Sequence, residues 1–134
     1  MKVYISGKIG EEVISEGTRR KFARAEEMLR AKGHTVVNPA SEEFQMTMET
    51  EFMIFRSFMC YESILLYDLG WLRTCTAIYM LADWQESNGA NVELDFATAT
   101  GKQRFWERED DAKIFCDESG NYQDVWLPIE GGEQ

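Results

Sequence analysis

Three short apolar segments, separated by helical patterns, constrain the fold of this chain most strongly. Residues 2–6 (KVYIS) and 35–38 (TVVN) are rich in β-branched side chains, and residues 77–81 (AIYML) are almost wholly apolar. A helical pattern between the first two segments begins at Thr18 and ends at Gly33. Two strands joined by a helix in this way form a right-handed unit with parallel strands.

Further helical patterns, from Cys60 to Arg73 and from Ser87 to Thr100, continue the alternation. They predict an α/β fold, a three-layer sandwich with a mainly parallel, flavodoxin- or Rossmann-like sheet. The 134 residues suffice for a single domain, 1–134. With a strand order of 2-1-3, ligands would bind beyond the carboxyl ends of strands one and three. The loops Gly7 to Gly10 and Ala82 to Gly89 would meet there.

Two regions are harder to assign. Residues 40–58 mix methionine, phenylalanine and glutamate, and form either a helix or a lid over a pocket. We expect their apolar side chains in the core or at a dimer interface rather than on a substrate. A short strand is predicted around Arg104-Phe105. Residues 114–116 and 124–127 are predicted to form a hairpin that turns at Ser119-Gly120-Asn121.

The charge of the chain disfavours anionic macromolecules as partners. Acidic residues outnumber basic ones 24 to 14, giving a net charge of −10. Such a surface repels phosphate backbones and anionic membranes, so we expect neither nucleic acid nor membrane as a partner. No apolar run approaches the ~20 residues of a membrane span. The first residues lack the pattern of a signal peptide, so we expect a cytoplasmic protein.

Cysteine and histidine spacing gives no sign of a metal site. Cys60, Cys75 and Cys116 form no CxxC motif, and the single His34 lies far from them in sequence. We expect three reduced thiols, no metal and no cofactor. The motifs of dinucleotide-binding folds, P-loops and serine hydrolases are also missing.

Glu93 is the first candidate for chemistry. In the helix after the third strand it shares a face with Ala90 and Ala97, and small residues on a helix face are typical of close packing against a sheet. A carboxylate drawn out of water there would need partners or a function. Spacing alone leaves a second alternative open, in which this face turns outward and Glu93 is solvated.

Several other polar residues have both a structural and a functional interpretation. Ser87, Asn88 and Gly89 lie where a helix exposes unpaired N–H groups, which suits a phosphate or a sugar hydroxyl. Ser87 is equally well explained as an ordinary N-cap. Asp68 is otherwise a surface acid, and Tyr4 a core tyrosine with a satisfied hydroxyl.

Four stretches together resemble the nucleoside 2-deoxyribosyltransferase-like superfamily, especially its short, largely uncharacterised bacterial and phage branch. The superfamily includes the 2'-deoxynucleoside 5'-monophosphate N-glycosidases. The similarity covers residues 2–102, which we take as the core, and leaves 103–134 as a C-terminal extension of uncertain role. The stretches are VYISG (3–7), AEEMLRAKGHTVVNP (25–39), DLGWLRTCTAIYML (68–81) and WQESNGANVE (84–93).

The resemblance implies cleavage or transfer at the N-glycosidic bond of a 2'-deoxynucleotide or deoxynucleoside. By position, Glu93 matches the nucleophile that attacks C1' and forms a glycosyl-enzyme. Tyr4 matches a tyrosine that orients the nucleophile, and Asp68 falls near the aspartate that handles the departing base. Ser87 matches a position that is aspartate in the transferases and serine in the monophosphate hydrolases, which favours a nucleotide over a nucleoside.

Ser6, Gly7 and Lys8 are expected to contact the substrate, together with Ser87, Asn88 and Gly89. Lys8 stands where the branch usually has proline, and would supply a cation to a phosphate. Thr76 replaces the branch's usual aspartate.

The resemblance also implies a homodimer or larger homo-oligomer. A second hypothesis is a nucleotide-binding module of the same fold without turnover, in which a structural partner occupies Glu93. A third is an oligomeric structural protein whose Met/Phe-rich segment forms the interface.

Overall fold

A computed structural model describes residues 1–9, 13–119 and 123–129 of the chain, which form strands and helices in alternation. The strands are β1 (Lys2–Ser6), β2 (Thr35–Val37), β3 (Ala77–Met80), β4 (Gln103–Trp106) and β5 (Asp124–Trp126). The helices are α1 (Glu16–Ala31), α2 (Glu42–Ile54), α3 (Tyr61–Arg73), α4 (Asn88–Ala99) and α5 (Glu109–Ser119), with a 3-10 turn at Trp84–Glu86. The three predicted strands and the three predicted helices are confirmed, with ends shifted by a few residues.

The sheet is parallel throughout, in the order β2-β1-β3-β4-β5. The order 2-1-3, on which the expected place of the ligand crevice depends, is therefore present, and β1 and β3 are neighbours with Tyr4 opposite Ile78 and Ser6 opposite Met80. All residues of β3 are buried, as expected for a parallel strand covered on both faces. Because the chain leaves β1 and β3 in opposite directions across the sheet, a crevice opens beyond their carboxyl ends.

Side chains of the two sheet faces form two separate cores. On one face, α1 packs Phe22, Ala25 and Leu29 against Val3 and Ile5 of β1. On the other face, α3, α4 and α5 cover the remaining side chains of the sheet. This arrangement confirms the α/β fold class and the three-layer Rossmann- or flavodoxin-like architecture. None of the helices within the described residues has the length and hydropathy that crossing a membrane requires.

Most of the Met/Phe-rich segment forms helix α2, which begins at the N-cap Ser41. Met48 is buried and belongs to the core. Other apolar side chains of the segment are exposed, namely Met46, Met53, Ile54, Phe55 and Phe58. Their burial against a second copy of the chain stays a prediction.

The predicted C-terminal hairpin is wrong. Residues 114–116 lie in helix α5, and residues 124–126 form β5, which pairs with β4 in parallel. Parallel neighbours need a crossover, and α5 supplies it by packing Ala112 and Phe115 on the sheet. The predicted strand at Arg104-Phe105 is confirmed as β4. Residues 120 and 121 of the predicted turn lie outside the described residues.

Candidate active site

The loops that follow β1 and β3 meet at the crevice and are held together there. Gly7 has no room for a side chain, because an added Cβ would lie 2.7 Å from Leu81 Cδ1. Asp83 holds the loop after β1 in place. Its side chain accepts a hydrogen bond from Lys8 N at 3.0 Å and forms an ion pair with Lys21. Lys21 Nζ also donates to Lys8 O at 3.1 Å. The two predicted loops are thus adjacent, while Gly10 lies outside the described residues.

Glu93 lies on the buried face of α4, with Ala90, Leu94 and Ala97. The two alanines let the helix approach the sheet closely, and Glu93 keeps 6% of its surface exposed. Its carboxylate accepts one hydrogen bond on each oxygen, from Tyr4 Oη to Oε2 at 2.8 Å and from Ser6 Oγ to Oε1 at 2.6 Å. The solvated alternative for Glu93 is therefore wrong, and the expected contact with Tyr4 is confirmed.

Burial raises the pKa of Glu93 to about 7, although the Ser6 and Tyr4 hydroxyls lower it. Loss of hydration disfavours the charged form, whereas hydrogen bonds donated to the carboxylate favour it. Within the part of the chain that the structure describes, both donors to Glu93 are neutral hydroxyls and no lysine or arginine pairs with it. The carboxylate is therefore neither fully neutralised nor held permanently ionised near neutral pH.

Asp68, on α3, lies largely buried on the same cleft as Glu93. Burial and then the charge of Glu93 raise the pKa of Asp68 to about 8. The asymmetry has a simple cause: Glu93 ionises first beside a neutral Asp68, and Asp68 must then ionise beside a charged Glu93. Near pH 7 this leaves one carboxyl partly ionised and the other mostly protonated, the division of states that acid and nucleophile require.

Tyr4 is fully buried in β1, and its pKa is raised well above the usual value by burial and by the charges of Glu93 and Asp68. A phenol in this setting stays protonated, so it acts as a hydrogen-bond donor to Glu93 and not as a base.

The cleft in front of these groups has a volume of about 680 Å³, which lies in the range of small-molecule sites. One wall is apolar and comes mainly from α2 and α3, including Met48, Ile64 and Leu65. Tyr61 closes the rim, where its hydroxyl would lie 3.5 Å from a Cβ added at Gly89. The cleft thus combines an apolar slot with two carboxyls at its floor.

Five of the six residues expected to bind substrate line this cleft: Gly7, Lys8, Ser87, Asn88 and Gly89. Ser87 is the N-cap of α4, and its Oγ accepts from Ala90 N at 3.1 Å, which leaves its own proton free to be donated. Lys8 Nζ pairs with Glu86 at 3.2 Å on the exposed rim.

Ser6 is the exception, because its hydroxyl is directed at Glu93 and the residue does not line the cleft. The sequence did carry a sign of this: Tyr4 and Ser6 are alternate residues of one strand, and alternate side chains point to the same face.

The apolar wall of the cleft was not predicted as such. Met48 was expected in the core, where it lies, but it also lines the cleft, and Ile64 and Leu65 were recognised only as the apolar face of a helix. A helix face that packs on the core and one that lines a cleft give the same periodicity, so no pattern distinguishes them.

Among the residues that the structure describes, no group of three or more Asp, Glu, His or Cys side chains is arranged to hold a metal ion.

No protein of curated function matches the chain. A family described as "Domain of unknown function (DUF4406)" matches residues 1–105, a range that contains Tyr4, Ser6, Asp68 and Glu93. The match spans most of the 134 residues. The chain therefore belongs to the DUF4406 family.

Proposed function

We propose that this protein cleaves, or transfers the sugar at, the N-glycosidic bond of a 2'-deoxynucleotide or deoxynucleoside, with Glu93 as the nucleophile. One observation carries the proposal: a buried carboxylate at the floor of a cleft is bound by two neutral hydroxyls and shares that cleft with a second carboxyl. Two carboxyls that share a cleft, one serving as acid and the other as nucleophile, are typical of glycoside cleavage.

In the proposed reaction, a Glu93 oxygen attacks C1' as the C1'–N bond breaks. The electron pair of that bond goes to the departing base, and the Asp68 carboxyl donates a proton to it. A 2-deoxyribosyl ester of Glu93 results. Water, or the nitrogen of another base, then attacks C1', restores the Glu93 carboxylate and returns a proton to Asp68.

Tyr4 supports this chemistry without titrating. Its hydroxyl, 2.8 Å from Glu93 Oε2, holds the carboxylate and stabilises its charge before attack. A donor that is already aligned in the free enzyme does not have to reorganise during the reaction.

The resemblance to the nucleoside 2-deoxyribosyltransferase-like superfamily supports the same assignment of Glu93, Tyr4 and Asp68. A neutral Ser87 at the start of α4 favours a 5'-phosphate, because its free proton and the first helical N–H groups are donors. Lys8 would bind the phosphate only after its ion pair with Glu86 is broken. Comparing nucleotides with nucleosides is therefore part of the test.

The test is release of free base, read by chromatography, from the common 2'-deoxynucleoside 5'-monophosphates and from the matching deoxynucleosides. Wild type is compared with Glu93→Gln and with Glu27→Gln, which makes the same chemical change on the exposed side of α1. We expect release by wild type and Glu27→Gln but not by Glu93→Gln. Mass spectrometry of quenched reactions should show a sugar adduct on wild type.

Two other outcomes would contradict the proposal. Base release that persists in Glu93→Gln would remove Glu93 from the chemistry. No release from any substrate, together with an increase in melting temperature on adding a nucleotide, would favour the binding module.

The pH dependence of kcat/KM provides a second test. Glu93 must be ionised to attack, so activity should fall below about pH 7, and Asp68 must be protonated to donate, so it should fall above about pH 8. We expect a maximum between these values, with slopes approaching tenfold per pH unit on both sides. Asp68→Asn should remove the alkaline limb and keep the acid limb. Activity that stays flat from pH 6 to 9 would contradict the assignment of both groups.

A further inference from the structure

The contact between Ser6 and Glu93 stands apart from the residues that line the cleft. Ser6 is the last residue of β1, is 1% exposed, and donates to Glu93 Oε1 at 2.6 Å. Tyr4, two residues earlier on the same strand, donates to the other oxygen. The strand thus presents two hydroxyls to the two oxygens of one carboxylate.

We infer that Ser6 is a positioning residue that sets the orientation of the Glu93 carboxylate, and not a substrate contact. The inference rests on the proposed function of Glu93 for its kinetic consequences, but its structural part concerns only these two side chains.

A glutamate carboxylate is free to rotate unless both of its oxygens are held. Rotation about the last torsion of glutamate is broad and roughly two-fold, so a carboxylate held by one donor still turns. If Tyr4 were the only donor, bound to Oε2, the carboxylate could rotate about that hydrogen bond and Oε1 would have no fixed position. The Ser6 hydrogen bond removes this freedom and fixes the plane of the carboxylate along β1. The same lone pair then faces the cleft in every molecule.

Ser6 also acts on the charge of Glu93. Burial raises the pKa of Glu93, and the hydroxyls of Ser6 and Tyr4 on β1 lower it, while Asp68 on α3 is the titratable group that shares its cleft. Because the Ser6 hydroxyl donates to the ionised form, it lowers the pKa of Glu93. Removing the hydroxyl raises that pKa, so the acid limb of the activity profile moves to higher pH.

The first arm of the test is kinetic and compares Ser6→Ala with Ser6→Thr. Ser6→Ala should lower kcat about 10- to 100-fold with KM little changed, because a small misplacement of a reacting group has effects of this size. Its acid limb should move up by about one pH unit. Ser6→Thr retains the hydroxyl on a β-branched residue suited to a strand, and should restore most of kcat and the original limb.

The second arm does not need turnover. The carboxyl carbon of Glu93 is followed by NMR in protein labelled at the glutamate side-chain carboxyls, and its signal is identified by its loss in Glu93→Gln. We expect its titration midpoint to rise by about one pH unit in Ser6→Ala and to stay near wild type in Ser6→Thr. Thermal melting checks that each variant is folded.

The outcomes separate the inference from the proposed function. An unchanged midpoint in a folded Ser6→Ala overturns the inference, and so does an increase in KM with kcat and the acid limb unchanged, which would make Ser6 a substrate contact. If wild type releases no base, the proposed function fails, and the titration alone supports or overturns the positioning of Glu93 by Ser6.

Discussion

Replacing Glu93 with glutamine should abolish base release and, at pH 8, make the protein more stable. The activity should fall by about 10⁴-fold or more, as is typical when a nucleophile is removed. Glutamine has nearly the shape of glutamate. Its carbonyl oxygen can accept a hydrogen bond from one of the two hydroxyls, Tyr4 or Ser6, and its NH₂ group can donate a hydrogen bond to the other. The fold should therefore be retained.

The gain in stability follows from the raised pKa of Glu93. Its pKa rises from 4.5 to about 7 on folding, so the folded protein binds a proton that the unfolded chain has lost in this range. The contribution of Glu93 to the free energy of unfolding is therefore greatest below about pH 4 and is lost as the pH rises through 7. The full loss is about 3 kcal/mol above pH 7. Glutamine does not titrate and is spared this loss.

Thermal melts of both proteins at pH 5 and pH 8 would measure this effect. At pH 8, Glu93→Gln should melt about 5 °C or more above wild type, and at pH 5 the difference should be much smaller. Glu27→Gln, on an exposed carboxylate, should melt like wild type at both values. Equal melting temperatures of wild type and Glu93→Gln at pH 8 would mean that Glu93 is hydrated in the folded protein.

Local sequence signals were sufficient for much of the fold. β1 and β3 were recognised because their residues are β-branched or apolar and bounded by turn residues, and α4 because Ser87 is an N-cap. The pairing of β1 with β2 follows from the short crossover through α1, whereas the place of β3 beside β1 was taken from flavodoxin-like folds. Such signals depend on a few neighbouring residues, and in these elements tertiary packing agrees with them.

The predicted hairpin is wrong because one sequence pattern fits two kinds of secondary structure. Residues 114–116 are apolar and bounded by polar residues, which fits a short strand as well as one turn of a helix. The parallel pairing of β5 with β4 decides between them, since it requires a crossover. That pairing joins residues some twenty positions apart and has no local signature.

The site was predicted only in part for a similar reason. Spacing alone left Glu93 either buried or solvated, and the resemblance singled out its contact with Tyr4. Ser6 was expected to contact the substrate; it lies at the end of β1 near the cleft, but its position in the sequence does not show where its hydroxyl points. The direction of one hydroxyl depends on the helix that packs over the strand.

The last prediction concerns Asp124, whose removal should destabilise the fold more than any other single change considered. Its carboxylate binds Arg104 through two hydrogen bonds of 2.6 Å and accepts a third from Trp106 Nε1 at 2.9 Å. The side chains of Arg104 and Asp124 are 4% and 0% exposed. This buried pair joins β5 to β4, in which the family match ends at residue 105.

Asp124→Asn should lower the free energy of unfolding by about 3–5 kcal/mol, because Asp124 is the carboxylate that pairs with the buried Arg104 among the described residues. Chemical denaturation measures the change. Asp110→Asn, on a side chain that is 77% exposed and 3.9 Å from Arg108, should change it little. The double variant Arg104→Met with Asp124→Leu should recover part of the loss, since neither charge is then left buried alone although Trp106 Nε1 loses its acceptor. If Asp124→Asn costs no more than Asp110→Asn, water reaches Arg104 and β5 is not anchored by this pair.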